Sequence, residues 1–166
     1  APLHPEKVLM VRRQFAEELE GEHLALVAAL REACAFCDQP ENREQVIATI
    51  AYPKYVNAPV ETLRASLLNR FDFGHGRVEW LPDFHIFSRH EANIPSTDKA
   101  IWILRQLRTS GLLKNVPALQ MEAALNVFRP DIFQQATQLG DEAASGHWKA
   151  SPSPLPALVG QEFNTP

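Results

Sequence analysis

The chain has little cysteine, little glycine and no long apolar run, and each shortage excludes something. Two cysteines in 166 residues cannot staple a small secreted scaffold. Cys34 and Cys37 do form a CxxC in "REACAFCDQP", but no second CxxC or Cys/His pair follows to complete four zinc ligands. With seven glycines there is no GxSxG elbow and no glycine-rich phosphate loop. No run of side chains approaches the eighteen or so apolar residues of a membrane span. Basic excess is also missing: the net charge of −4 argues against direct nucleic-acid binding, which wants a basic face for phosphates. The opening at Ala1 shows no charged-then-apolar export segment, so the expectation is a processed chain or a piece of a longer one.

What is present is ordinary for a globular domain, with 45% hydrophobic and 22% charged residues. "KVLMVR", residues 7–12, reads as a short buried strand. A helix is expected from Glu22 to Asp38, with a break at Pro40. Leu24, Val27, Leu30, Cys34 and Cys37 fall on one helical stripe, which predicts reduced, buried thiols and no redox motif at a helix start. Asn57 is a candidate cap for the helix in "NAPVETLRASLLNR". Ser96 is the candidate cap of the clearest helix, which Gly111 stops. Pro130 opens a last helix that is expected to end at Gly140. Residues 141–166 then read as a proline-rich tail or wrapping arm. Helices so outnumber the weak strands that the chain looks like the closing portion of an α/β protein whose sheet is mostly encoded elsewhere.

Residues 71–96, "FDFGHGRVEWLPDFHIFSRHEANIPS", gather His75, His85 and His90 with Asp72, Glu79, Asp83 and Glu91. The histidine spacing matches neither HxxxH on a helix nor HxH on a strand. Convergence on a metal is one reading. The other makes His75 the centre of a Gly-His-Gly turn and gives the remaining histidines loop hydrogen bonds. Gly74 and Gly76 permit that turn, and Phe84, Ile86 and Phe87 suggest a short extended segment. Lys7, at the mouth of the first strand, is the candidate for holding a small anion, against the plainer reading of a solvated lysine. With no catalytic constellation in view, the residues suggest a binding or interaction protein that is not an enzyme and needs no cofactor.

Six stretches, in order, resemble one family. "HPEKVLMV", "LALVAALREACAFCDQPENREQV", "YPKYVNAPVETLRASLLNRFDFGHG", "PDFHIFSRHEAN", "KAIWILRQL" and "VFRPDIFQQATQLG" are similar to the C-terminal part of the nitrate- and bicarbonate-binding proteins of ABC importers. Members share a P-E-K-V-L-G-V strand, a D-x-P-x-N-R helix junction and a Y-R-P-D-L-Y helix start. The resemblance covers about residues 4–140 and implies a bilobal type II periplasmic-binding-protein-like fold, of which residues 1–140 would be the C-terminal part. It implies nitrate, nitrite or bicarbonate as ligand, an ABC permease as partner, and further contacts from the missing N-terminal part. Lys7 matches the family's lysine at this strand, so the resemblance gives it the anion. The chain departs from the family at "NIPSTDKAIW", where transport members carry N-x-P-W-R-S-H-A-x-W. Cytoplasmic nitrate sensors that regulate an RNA-binding antiterminator share the architecture, and a docking module without ligand is a third reading. The location is accordingly periplasmic or exported, or else cytoplasmic, in a bacterium.

Overall fold

In the computed structural model, residues 7–115 and 117–144 are described. The order is α1 (Arg13–Glu18), α2 (Glu20–Asp38), a 3-10 turn (Pro40–Asn42), α3 (Arg43–Ile50), α4 (Val60–Leu67), β1 (Arg70–Asp72), β2 (Val78–Trp80), α5 (Thr97–Thr109), α6 (Ala118–Leu125) and α7 (Pro130–Ala144). The architecture is helix-rich with one two-stranded antiparallel sheet. It agrees with part of an α/β domain.

Local chemistry explains most boundaries. α2 opens with Glu20 and Glu22 in its first turn, where carboxylates favour the helix dipole. It stops at Asp38 because Gln39, one residue before Pro40, must be extended (φ −71°, ψ 125°). Ser96 caps α5 as expected, its hydroxyl accepting from the Lys99 N–H at 3.4 Å. Beyond α5, Gly111 takes φ +77°, the left-handed turn that closes a helix. The hairpin pairs Arg70 with Trp80, Phe71 with Glu79 and Asp72 with Val78. Its tip runs through Gly74, His75 and Gly76, all at positive φ, and the Asp72 Oδ1 accepts the Gly74 N–H at 2.7 Å.

Two packing centres hold the elements. Val46, Ile47 and Leu67 form a small core joined by Cys37, Ile50, Leu63, Leu68 and Phe87. This core therefore collects the end of α2, α3, α4 and the loop after the hairpin. The second centre is the α2–α7 pair, with Ala136 fully buried on α7.

Several expectations need correction. Residues 7–12 are not a buried strand: Val8, Leu9 and Met10 are 57%, 50% and 82% exposed. A strand needs a ladder partner, and the one sheet among the described residues is the distant-in-sequence hairpin. Asn57 does not cap α4; it sits at φ +52° and Pro59 takes the cap position with no side-chain bond. Residues 84–87 follow turns and bends, so the extended segment expected there is absent. Gly140 does not end α7, which runs on to Ala144. A Cβ at Gly140 would lie 3.3 Å from the Arg31 Nη1 and 3.9 Å from the Ala28 Cβ, so this glycine marks where α7 meets α2 closely. Of the tail expected over 141–166, residues 145–166 lie outside the described residues.

The contact at Gly140 predicts opposite outcomes for two substitutions. Gly140→Ala is expected to hold or raise stability by up to about 1 kcal/mol, since helices prefer alanine and only the flexible end of Arg31 must yield. Gly140→Leu is expected to cost about 1–3 kcal/mol by forcing the two helices apart. Urea denaturation of both variants checks this.

Candidate functional site

The polar centre of the molecule is the Asp38 carboxylate. It sits buried at the last residue of α2, aimed at the loop that follows the hairpin. Its Oδ1 accepts the Phe87 N–H at 3.1 Å, and its Oδ2 accepts the Ser88 and Arg89 N–H groups at 2.6 and 2.7 Å. Successive amides converging on one anion form a backbone nest. Buried Arg43 faces the same carboxylate at 3.4 Å and donates to the carbonyls of Leu67 and His85 at 3.1 and 3.3 Å. Its guanidinium also lies 5.0 Å from the Phe87 ring centre. One ion pair thus ties α2, α3, the end of α4 and the loop. Burial alone would raise the Asp38 pKa. The Arg89, Phe87 and Ser88 amides and the Arg89 charge outweigh it, holding the carboxyl below its ordinary 3.8.

A second anchor fixes the other end of the same loop. The Lys99 ammonium donates to the carbonyls of Glu91, Ala92 and Ile94 at 2.6, 2.9 and 2.7 Å, which uses all three of its protons. Those carbonyls turn inward because His90 and Glu91 are both left-handed, at φ +54° and +56°. Burial pulls the Lys99 pKa down, against the opposing pull of the Glu91 carboxylate.

The histidines have separate places. The His85 Nε2 pairs with the Ser66 hydroxyl at 2.6 Å, and its ring lies between Phe84 and Phe87. His75 is exposed at the hairpin tip, and His90 lies 4.0 Å from Asp83 at the surface. Glu79 pairs with Arg77, and Asp83 with Arg89. Among the described residues no group of three or more His, Cys, Asp and Glu is placed to hold a metal ion.

Cys34 and Cys37 are free thiols on α2, as expected, but only half-buried. The stripe that carries them is not fully covered, and on the same helix Leu26, Leu30 and Phe36 are exposed. Burial still pushes both thiols above their usual range, which disfavours the reactive thiolate. Lys7 lies on the exposed segment before α1 and makes no hydrogen bond or ion pair among the described residues. An open cleft of about 570 Å³ borders Thr97, Leu125, Phe128 and Arg129. Arg129, which borders this cleft, is paired with Asp131, its Nε and Nη2 donating to the carboxylate at 2.8 and 2.6 Å.

The residues that sequence reasoning missed are Asp38, Arg43, Arg89 and Lys99. The signal was available: Asp38 and Arg43 are the ends of the D-x-P-x-N-R junction, and Asn42 between them donates to the Phe36 carbonyl at 3.0 Å. The partner amides belong to "PDFHIFSRHEAN". Two stretches recognised separately in the sequence meet as donor and acceptor.

Comparison with known proteins places the chain. The model of the NMT1-like family matches residues 2–51. The nitrate import ATP-binding protein NrtC of Synechocystis sp. is 37% identical over 134 residues, which is 80% of this chain and 20% of NrtC. The nitrate/nitrite binding protein NrtA of Synechococcus elongatus is 30% identical over 138 residues, 81% of this chain and 30% of NrtA. The bicarbonate-binding protein CmpA of the same organism is 30% identical over 159 residues, 86% of this chain and 34% of CmpA. The chain therefore spans only a fifth to a third of these curated relatives. No solved structure matches. The likeness to nitrate- and bicarbonate-binding proteins extends over most of the chain. It is shared by proteins named for ion binding and by several named for ATP binding, while this chain has no phosphate-binding glycine loop.

Asp38→Ala would strand the Arg43 guanidinium and three amides, and is expected to cost about 3–5 kcal/mol in urea denaturation. The folded pKa of Asp38 lies below its unfolded one, so its contribution is complete above about pH 4 and is lost as pH falls through the folded value. Asp38→Asn should flatten that acid limb of the stability profile while losing less than the alanine variant.

Proposed function

We propose that this chain, a relative of the nitrate- and bicarbonate-binding proteins, is the C-terminal part of a small-anion binding protein that delivers its ligand to an ABC importer. The observation that carries this reading is the similarity to NrtA and CmpA over 81% and 86% of the chain. In this reading the parent is a bilobal type II periplasmic-binding-protein-like fold. Residues 1–140 brace one lobe, and closure traps nitrate, nitrite or bicarbonate without turnover. The described helices suit a bracing role, because their buried charges are spent on internal anchors. Lys7 is the one residue assigned to the anion. It stands on the exposed segment inside the stretch matched by the family model.

The 37% identity to NrtC favours a second reading, in which the same segment is carried by the ATP-binding component of a nitrate importer. The chain would then be a solute-binding-like part of that component and not its nucleotide site.

Calorimetric titration of the full-length parent with nitrate, nitrite and bicarbonate tests the proposal, with binding heat expected from at least one. Silence with all three would leave a docking module without ligand. Lys7→Ala in the parent is expected to weaken binding about tenfold or more with the fold unchanged, since a charge-assisted hydrogen bond is worth roughly 1.5–3 kcal/mol. Unchanged affinity would return Lys7 to a solvated lysine.

A further inference from the structure

α5 and α6 leave a groove of about 210 Å³ between them, lined by Ile101, Leu104, Arg105, Arg108 and Leu125. That is below the roughly 300–1,000 Å³ of sites for drug-sized ligands, and it suits one or two side chains. The lining has two kinds of chemistry. Ile101, Leu104 and Leu125 supply apolar surface, while Arg105 and Arg108, one turn apart on α5, are exposed beside it.

Those two arginines differ from most others in the chain. Arg31, Arg43, Arg64, Arg77, Arg89 and Arg129 each have a carboxylate partner. Among the described residues Arg12, Arg13, Arg70, Arg105 and Arg108 have none, and of these only Arg105 and Arg108 line the groove. Arg108 gains something from the C-terminal end of α5, which favours a cation. Arg105 is a turn further in and lacks that compensation. Two like charges at i and i+3 repel each other, and a carboxylate between them would relieve this.

We propose that this groove docks a partner protein through an acidic amphipathic helix. A leucine-sized side chain would seat on Ile101, Leu104 and Leu125, and carboxylates one turn away would meet Arg105 and Arg108. Apolar anchors flanked by charge at helical spacing are how grooves of this kind read helices. A small inorganic anion would leave the apolar floor unused, and phosphate-rich polymers are opposed by the net charge of −4. A second copy of this chain offers an acidic run at Glu17, Glu18, Glu20 and Glu22, but its apolar member, Leu19, is half-buried against its own molecule.

The test uses the full chain and a fluorescein-labelled fourteen-residue helical peptide with one leucine and glutamates a turn to either side. Fluorescence anisotropy should show binding that weakens with added salt. A peptide with lysine for glutamate, or serine for leucine, should bind at least about tenfold more weakly. The double variant Arg105→Gln, Arg108→Gln changes only exposed side chains, so circular dichroism should be unchanged while affinity falls about tenfold or more. Equal binding of the glutamate and lysine peptides would overturn the proposal, as would an unaffected double variant. If the double variant instead abolished self-association in sedimentation and left peptide binding intact, the occupant would be a second copy, and the proposal would fail.

Discussion

One carboxylate organises this molecule. Asp38 must be ionised and buried, a combination that water would oppose by several kcal/mol without compensation. Compensation comes from three amides of residues 87–89 and from Arg43. In the interior of a helix or in a paired strand those amides would be used within the element. The loop after the hairpin is irregular for that reason: it keeps its N–H groups free for Asp38 and its carbonyls free for Lys99. Phe87 then reaches the core of Val46, Ile47 and Leu67. Loss of the carboxylate would release a helix end, a loop and a core side chain together.

The same geometry gives the sequence motifs their structural work. D-x-P-x-N-R supplies the carboxylate, the helix break and the guanidinium. "PDFHIFSRHEAN" supplies the nest. The residues "RPD" at the start of α7 form a bidentate surface pair between Arg129 and Asp131. Each motif is an internal fastening: its charged groups pair within the chain. The chain is 30% identical both to a protein named for nitrate and nitrite binding and to one named for bicarbonate binding.

Apolar exposure follows a pattern as well. Val8, Leu9 and Met10 stand out along the segment before α1, and Leu26, Leu30 and Phe36 along α2. Trp80, on the outer face of the hairpin, is 68% exposed. Apolar side chains on several faces are thus left in contact with water among the described residues. An all-apolar stretch such as "VLMV" suits a strand buried on both faces, and the described residues contain no sheet to receive it.

Local signals were legible in the sequence: the α2 break before Pro40, the Ser96 cap, the Gly111 stop and the turn through Gly74 and Gly76. Each depends on the backbone limits of one residue and its immediate neighbours. The family likeness was also legible, because it lies in the order of motifs. Asn57 and Gly140 misled because a residue suited to a cap or a stop is also suited to other work: Asn57 took a left-handed turn, and Gly140 let two helices approach. "KVLMVR" read as a buried strand since composition reports what a segment would bury, not whether a partner is there. The tertiary structure alone decided which charges were interior. Asp38 and Arg43 look like any surface pair until a loop about fifty residues away brings its amides to them, and a charge is buried only where such donors can be gathered around it.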